Sequence, residues 1–234
     1  MNNKKRWFTT GDKHREFSDV KKFCIQAETT QDDVLIILGD AGIDYTLKDD
    51  DIYLKRWLTK LPITLIMVRG NHEAHPREVS GYNLIDSPFN EGKVWHDNRF
   101  ENQFVFEDGL HIINGKSVVV AGGAYSVDKQ YRLVTGKKWF ASEQMDDNIK
   151  QQILNAAASK HFDYVFTHTC PFSYIPRDVF LPMIDQKTVD NSMEQYLQIL
   201  HDSIDYNEWY CAHYHTDRVI DKIYFLFHAF KQII

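Results

Sequence analysis

The sequence predicts an α/β protein with mixed β-sheets covered by helices. In the first half of the chain, apolar runs of strand length alternate with amphipathic stretches of helical period. This is the pattern of parallel strands joined by right-handed crossovers. The middle holds short strand-like runs separated by turn residues, which favours antiparallel pairing. The last third again alternates helices with strands, so both kinds of pairing are expected in the sheets.

The first five elements follow from apolar runs and helical periodicity. We predict strands at residues 6–10, 33–38 and 63–68, and helices at residues 16–29 and 49–61. The first helix keeps its apolar residues on one face. The second has acidic residues in its first turn, where they favour the helix dipole, and a proline follows its end.

Further elements come from the middle and the last third. Asn114-Gly115, a strong hairpin signal, lies among short apolar runs. We predict strands at residues 103–106, 109–113, 117–121, 162–167 and 208–212, helices at 142–160 and 190–204, and a C-terminal hairpin within 218–230 around Asp221-Lys222. Because no linker or repeat divides the chain, we expect one domain over residues 1–234.

Composition excludes several classes of function. The 234 residues are 43% hydrophobic and carry a formal net charge of −6, which argues against a general nucleic-acid-binding surface. No apolar run approaches the roughly 20 residues that span a bilayer, and the N-terminus lacks the apolar core of a signal peptide. The three cysteines are far apart, which suits a reducing compartment. We therefore expect a cytoplasmic protein without a membrane partner.

Polar side chains follow five of the predicted strands. The segments are Gly11-Asp12-Lys13-His14, Gly39-Asp40, Gly70-Asn71-His72-Glu73, His168 and His213-Tyr214-His215. Each alone is compatible with an ordinary turn or a surface histidine, since glycine and aspartate favour turns. In open α/β sheets, however, sites form outside the carboxyl ends of the strands. The shared position of these segments therefore predicts one common site.

The side chains of this set suit transition-metal ions. Carboxylate, amide and imidazole groups favour Mn²⁺, Fe and Zn²⁺ over Ca²⁺, and no cysteine pair has the spacing of zinc ligands. A carboxylate has two oxygens and can bridge two ions. Two ions about 3.5–4 Å apart can activate a water molecule and hold a phosphate group.

The ordered motifs resemble those of the calcineurin-like metallophosphoesterase superfamily. The family pattern of D-x-H, GD-x-x-D, GNH-[ED], H and GH-x-H is matched by the five segments above, from residue 11 to residue 215. The form Arg-Gly-Asn-His-Glu at 69–73 is similar to that of protein serine/threonine phosphatases and of small phage and bacterial relatives. The glycine-rich segment 121–126 resembles a turn found in many members. The resemblance implies a sandwich of two mixed β-sheets flanked by helices.

The resemblance also implies a role for each matching residue. Seven side chains would hold two ions, three for the first, three for the second and one as a bridge: Asp12, His14 and His215; Asn71, His168 and His213; and Asp40. His72 would stay off the ions and lie beside the leaving-group oxygen, as general acid or to stabilise charge there. A histidine suits either role because its ordinary pKa, about 6.5, lies near neutral pH.

Two positions depart from the family pattern. Ile43 stands three residues after Asp40, where the family has an aspartate that orients the catalytic histidine in phosphatases, and Asp44 follows one position later. Asp44 in a shifted turn, another carboxylate, or no group at all would then orient His72. Tyr45 stands where protein phosphatases have a phosphate-binding arginine.

Three further residues are candidates for substrate contacts or for support of the site: Arg69, Tyr125 and Arg132. Tyr125 and Arg132 belong to a polar stretch after the glycine-rich segment. That stretch either lies over the metals or forms an exposed loop. Arg69 precedes the site directly and either contacts substrate or pairs with an internal carboxylate.

These features together predict a metal-dependent phosphoesterase that hydrolyses phosphate mono- or diesters with water activated by two metals. The expected cofactors are two divalent transition-metal ions, with Mn²⁺ favoured and Fe, Zn²⁺, Ni²⁺ or Co²⁺ as alternatives. The expected partner is a small phosphorylated substrate, a nucleotide or a phosphoprotein, and the oligomeric state is left open. The alternative is a catalytically weak metal-binding scaffold that acts through protein–protein contacts. The presence of His72 and Asp40 argues against that alternative.

Overall fold

Two seven-stranded β-sheets pack face to face in the computed structural model, which describes residues 5–234. The strands are β1 (Trp7–Thr10), β2 (Val34–Ile37), β3 (Thr64–Met67), β4 (Asn83–Asp86), β5 (Asn90–Glu91), β6 (Lys93–His96), β7 (Gln103–Phe106), β8 (Gly109–Ile113), β9 (Lys116–Ala121), β10 (His161–Thr167), β11 (Asp205–Cys211), β12 (Arg218–Ile220), β13 (Ile223–Phe225) and β14 (Lys231–Gln232). The α-helices are α1 (Ser18–Gln26), α2 (Asp49–Leu58), α3 (Lys129–Thr135), α4 (Asp147–Ala157) and α5 (Ser192–Ser203). Short 3₁₀ turns occupy Pro76–Glu78, Phe172–Tyr174, Arg177–Val179 and Gln186–Thr188.

Each sheet has a parallel centre and antiparallel edges. The first sheet has the order β14-β1-β2-β3-β7-β6-β4, in which β1, β2, β3 and β7 run parallel. The second has the order β12-β13-β11-β10-β9-β8-β5, in which β9, β10, β11 and β13 run parallel. The predicted sandwich of two mixed sheets is thereby confirmed.

The main hydrophobic core lies between the two sheets. Successive side chains of a strand point to opposite faces, and β2 shows the consequence. Val34 and Ile36 enter the core between the sheets, where they join Val118 and Val120 of the second sheet. Leu35 and the residue after Ile36 face outward onto a separate apolar cluster. A continuous apolar run is therefore needed in β2, because both of its faces are buried.

Helices cover the outer faces of both sheets. Phe17 and Val20, at the start of α1, pack with Leu58 of α2 over the first sheet. Ile153 of α4 and Leu197 of α5 pack over the second sheet. Among residues 5–234, none of the helices has the length and apolarity that crossing a bilayer requires.

The predicted strands of both parallel sets are confirmed to within one to three residues at each end. The predicted helix at 142–160 is shorter at both ends and spans Asp147–Ala157. The carbonyls of Ser142 and Glu143, before its start, accept hydrogen bonds from Arg69. The C-terminal hairpin consists of β12 and β13, with Asp221 at φ 54° in its turn. The chain then leaves that sheet, and β14 pairs with β1 of the other. The elements β4, β5, β6, β14 and α3 were not predicted.

Candidate metal centre

Three predicted ligands meet beyond the carboxyl ends of β1 and β11. The ligand atoms of Asp12, His14 and His215 lie within 4.8 Å of one another. The Nε2 atoms of His14 and His215 are 2.9 Å apart, so both rings aim at one point. Both histidines adopt left-handed backbone conformations, with φ 44° and 48°. Such conformations cost about 1–3 kcal/mol each and concentrate at functional sites.

A second group of predicted ligands joins the two sheets. Asp12, Asp40 and His168, which follow β1, β2 and β10, also have ligand atoms within 4.8 Å of one another, and all three are buried. Asp40 Oδ2 lies 3.5 Å from His168 Nε2 and 3.9 Å from His14 Nε2. One oxygen of Asp40 therefore reaches both groups, which is the position that a bridging carboxylate needs.

The turn after β3 wraps around the other oxygen of Asp40. The backbone N–H groups of Asn71 and His72 donate to Asp40 Oδ1 at 2.9 Å and 2.8 Å. This approach requires Gly70, because a Cβ at that position would lie 2.1 Å from Asp40 Oδ1. Asp40 is thus fixed through Oδ1, and Oδ2 is left facing the histidines.

Hydrogen bonds on the side away from the centre orient the side chains of His168 and Asn71. His168 Nδ1 lies 2.7 Å from the carbonyl of Leu38. A carbonyl can only accept, so Nδ1 carries the proton and Nε2 faces Asn71 Oδ1 at 2.8 Å. The Asn71 amide donates to Ser126 Oγ at 2.9 Å, which turns Oδ1 inward. Such supporting bonds determine which atom a metal ligand presents.

His213 completes the inner wall of the centre. Its backbone N–H donates to Asp12 Oδ2 at 3.0 Å, and its ring packs edge-to-face on His168 with centroids 5.0 Å apart. Burial, reinforced by the charge of His168, lowers the pKa of His213 far below its usual range. The imidazole is therefore neutral at neutral pH and keeps a nitrogen lone pair available.

The buried carboxylates attract positive charge. Burial raises the pKa of Asp12 to about 7, although His168 opposes that rise. Burial raises the pKa of Asp40 in the same way, but His168 outweighs it and holds that pKa well below its usual range. Burial lowers the pKa of His168, yet Asp40 and Asp12 raise it to about 9. The positive charge beside the two carboxylates therefore comes from the imidazolium of His168, and a bound divalent cation could replace it.

The donor set fits divalent transition-metal ions. Asp12 Oδ1 is buried and, among residues 5–234, has no hydrogen-bond partner. An unpartnered buried carboxylate oxygen is costly unless it binds a cation. It lies beside imidazole nitrogens and a second carboxylate, and this mixture of donors suits Mn²⁺, Fe or Zn²⁺.

His72 lies at the edge of the centre, with 21% of its side chain exposed. Its Nε2 is 3.7 Å from Asp40 Oδ2. On the opposite side of the ring, Nδ1 contacts the guanidinium of Arg132, which belongs to α3. Arg132 is itself held by Asp128, whose Oδ1 accepts from Nε at 2.7 Å. The ring is therefore fixed between a carboxylate of the centre and a helix outside it.

Asp44 and Arg69 form bonds away from the histidines. Asp44 is buried, contacts Lys55 and accepts a hydrogen bond from the Tyr82 hydroxyl at 2.9 Å. Arg69 is also buried and donates to Asp108 Oδ2 at 3.1 Å. Asp44 thus does not contact His72 in the structure, and Arg69 pairs with an internal carboxylate.

The centre opens into a cavity of about 500 Å³. His14, His72 and His215 line its inner end, and Tyr125 lies beside them. The outer wall comes from the segment between β10 and α5, which folds as short 3₁₀ turns. A cavity of this size is in the range that accommodates small molecules.

Two contributors were missed by the sequence analysis. Ser126 carries no signal in the sequence, because its role depends on a contact with a residue 55 positions away. The helix α3 lies in the stretch that was interpreted as polar cover or loop. Gly136, at φ 69°, ends α3 in the left-handed conformation typical of helix C-termini, and that glycine was a usable signal.

Comparison with known proteins identifies the family of the chain. Residues 8–217 match the family model described as calcineurin-like phosphoesterase. Among solved structures, the chain is similar to phosphopantetheinyl hydrolase from Mycobacterium tuberculosis, with 14% sequence identity and a TM-score of 0.42. That similarity covers 96% of this chain and 89% of the other. A search of curated proteins gave no significant match.

Proposed function

Because the chain belongs to the calcineurin-like phosphoesterase family, we propose that it is a metal-dependent enzyme that hydrolyses phosphate mono- or diesters. The observation that carries the proposal is the convergence of Asp12, Asp40 and His168 from both sheets. Asp12 presents an oxygen without a hydrogen-bond partner in the described part of the chain. Such a cluster needs cations, and the adjoining cavity has room for a small ester.

The proposed ligands divide between two sites. The first ion would be held by Asp12, His14 and His215, the second by Asn71, His168 and His213, and Asp40 would contact both. Bound divalent ions would supply an activated water molecule and neutralise charge on the phosphate oxygens. We propose Mn²⁺ as the native ion, because oxygen and imidazole donors both occur in the set.

His72 is proposed to act on the leaving group. The guanidinium of Arg132 has only N–H donors, so its contact with Nδ1 requires that this nitrogen accept. The ring proton is then on Nε2. Burial lowers the pKa of His72, Asp40 opposes that effect, and Arg132 adds to it. A neutral imidazole with a proton on Nε2 donates a hydrogen bond to the leaving oxygen and stabilises the charge that develops there.

Metal analysis together with an ester assay tests the proposal. The chain is stripped with chelator, reloaded with Mn²⁺ and analysed for metal content and for hydrolysis of p-nitrophenyl phosphate and bis-p-nitrophenyl phosphate. We expect about two ions per chain and metal-dependent hydrolysis of at least one ester. Metal binding without hydrolysis under Mn²⁺, Ni²⁺, Co²⁺, Zn²⁺ or Fe²⁺ would instead support a scaffold.

Three variants separate the proposed roles. His72→Ala should retain metal and lose about 10²–10⁴-fold in kcat, the range typical of a proton-donating group. Asp40→Asn should weaken both metal sites together. His161→Gln is the control. His161 is exposed, pairs with Asp205, and lies at the start of β10, which is the end of that strand away from His168. Loss of metal in His72→Ala would contradict the role given to His72.

A further inference from the structure

The cavity beside the metal centre has two chemically different ends. The inner end carries the histidines and Asp40. The rest of the lining comes mostly from the segment between β10 and α5 and is largely apolar, with Val127, Val179, Phe180, Leu181, Ile184 and Val189 beside the polar Gln186 and Asn191. A phosphate at the inner end would therefore place its esterified group against an apolar wall.

The charges around the cavity oppose a second phosphate. In the described chain, neither lysine nor arginine lines the cavity, whereas Asp128 and Glu194 do. Arg132 is nearby, but its guanidinium is occupied by Asp128, His72 and the carbonyl of Lys138. Lys129 lies over the Trp139 ring, 4.2 Å from its centroid. Because Asp128 and Arg132 already pair with each other, a polyphosphate chain beyond the reacting phosphate would find no free lysine or arginine in the described lining to neutralise it.

The apolar wall is partly exposed to solvent and reaches the metal centre. Leu181 is 58% exposed although it lines the cavity. Phe180 stacks on Tyr214, with centroids 6.4 Å apart, and so extends the wall to the metal-ligand segment 213–215. Binding of an apolar group against this wall would remove apolar surface from water, which lowers the free energy of the complex.

We propose that the substrate is a small phosphoester whose alcohol portion is uncharged and predominantly apolar, and that residues 179–189 select it. This inference depends on the proposed phosphoesterase function, and it names the substrate class for that site. Nucleotides with additional phosphates are disfavoured because the described lining offers no lysine or arginine to bind them. A volume of about 500 Å³ matches a small molecule, which is the reason for placing a small ester here.

Esters of alcohols with similar leaving-group chemistry test the selection. The Mn²⁺-loaded chain is assayed for phosphate release from 3-phenylpropyl phosphate, glycerol 1-phosphate and AMP. We expect kcat/KM for 3-phenylpropyl phosphate to exceed that for glycerol 1-phosphate by roughly 30-fold or more, from the burial of several additional apolar carbons. Equal values, or a preference for AMP, would overturn the inference while leaving the phosphoesterase function intact. No hydrolysis of these esters, with p-nitrophenyl phosphate and bis-p-nitrophenyl phosphate also left intact, would overturn the function itself.

Wall variants identify the residues that select. Ile184→Ser and Val179→Ser should each lower kcat/KM for 3-phenylpropyl phosphate about 5- to 20-fold and leave that for glycerol 1-phosphate within twofold. Ile199→Ser is the matched control, because Ile199 is 55% exposed on α5 and does not line the cavity. Unchanged selectivity in both wall variants would overturn the role of residues 179–189.

A binding measurement avoids dependence on turnover. Titration of the Mn²⁺-loaded chain with 3-phenylpropylphosphonate, which is not hydrolysed, should give a Kd at least tenfold lower than titration with methylphosphonate. Ile184→Ser should remove most of that difference. Equal affinity for the two phosphonates in the unmodified chain would contradict an apolar subsite.

Discussion

Arg132 of α3 contacts Nδ1 of His72 through its guanidinium, on the side of the ring away from Asp40. Because a guanidinium only donates, this contact fixes the proton of the neutral ring on Nε2. In the family pattern the corresponding partner is an aspartate, which accepts from the ring. Here the partner donates to the ring instead, and the arginine in turn donates from Nε to Asp128.

Replacement of Arg132 should impair catalysis through His72. Arg132→Met removes the donor and keeps most of the side-chain volume, so we expect kcat to fall about 10- to 100-fold, as small misplacements of catalytic groups do. The charge of Arg132 adds to the effect of burial on His72, so its loss should raise the pKa of His72.

Nitrogen NMR of the Zn²⁺-loaded chain reports both the tautomer and the pKa of His72 in Arg132→Met. A purely structural role for Arg132 would move neither. Arg56→Met, on the exposed face of α2, serves as the control. If His72 kept its tautomer and its pKa in Arg132→Met, the positioning role would be excluded.

Removal of the Ser126 hydroxyl should weaken metal binding. Ser126 accepts from the amide of Asn71 and keeps Asn71 Oδ1 pointed at the centre. In Ser126→Ala the amide can rotate, and we expect metal affinity to fall about 10- to 100-fold, the usual effect of losing a supporting hydrogen bond.

The measurement for Ser126→Ala is a titration of the stripped chain with Mn²⁺ followed by calorimetry. Ser173→Ala, an exposed serine in the segment after β10, should bind metal like the unmodified chain. Equal affinities of Ser126→Ala and the unmodified chain would show that Asn71 is oriented without Ser126.

The sequence was sufficient to predict the polar groups at the strand ends. It indicated Arg132 only as a candidate for substrate contact or support, and it indicated no role for Ser126. Asp12 and Asp40 follow neighbouring parallel strands, so their approach could be predicted from strand pairing. His168 follows a strand of the other sheet, and its approach to them depends on how the two sheets pack. Arg132 and Ser126 act through contacts 60 and 55 residues apart in the chain. Such contacts depend on how α3 and the loop before it pack, which local propensity does not encode.

The position of Asp44 shows the same limit. The sequence placed a carboxylate one residue beyond the family position, and a shifted turn was one of three possibilities for what orients His72. In the structure, Asp44 is buried against Lys55 of α2 and Tyr82. A buried lysine needs an opposite charge, and the sequence of α2 alone does not indicate that Lys55 points inward.

Asp44 is therefore expected to matter for stability. Asp44→Ala leaves the Lys55 ammonium buried without a partner, which should cost about 3–5 kcal/mol in free energy of unfolding. The double variant Asp44→Ala, Lys55→Met should recover part of that loss. Chemical denaturation measures both, and kcat of the folded fraction should change little. A fall in kcat with unchanged stability would mean that Asp44 acts on His72 after all.

The matched control for Asp44 is Asp178→Ala. Asp178 also forms an ion pair, with Arg218, but its side chain is 66% exposed. Pairs at the surface contribute about 0–1 kcal/mol, so this variant should unfold nearly like the unmodified chain. A loss at Asp178 as large as that at Asp44 would indicate that burial does not distinguish the two pairs.

His75 should make the metal-free protein less stable in acid. The residue is 6% exposed, and its Nδ1 accepts a hydrogen bond from the Arg77 N–H at 3.2 Å. Burial, followed by the charges of Arg69 and Arg77, lowers the pKa of His75 to about 3. Between about pH 6.5 and pH 3, the imidazole of His75 is protonated in the unfolded chain and neutral in the folded chain. His75 therefore contributes stability above pH 6.5 that is lost as the pH falls, by about 1.4 kcal/mol per pH unit.

Substitution by asparagine isolates the contribution of His75. His75→Asn keeps an acceptor for the Arg77 N–H, since asparagine is a good capping residue, and removes the titration. Urea unfolding of the chelator-treated chain at pH 7 and pH 5 gives the free energies of unfolding. The free energy of unfolding should fall less between pH 7 and pH 5 in His75→Asn than in the unmodified chain. The expected difference is about 2 kcal/mol, because the interval from pH 6.5 to pH 5 spans about 1.5 pH units at about 1.4 kcal/mol each. An identical pH dependence in both proteins would show that the folded chain accepts a proton at His75 without penalty.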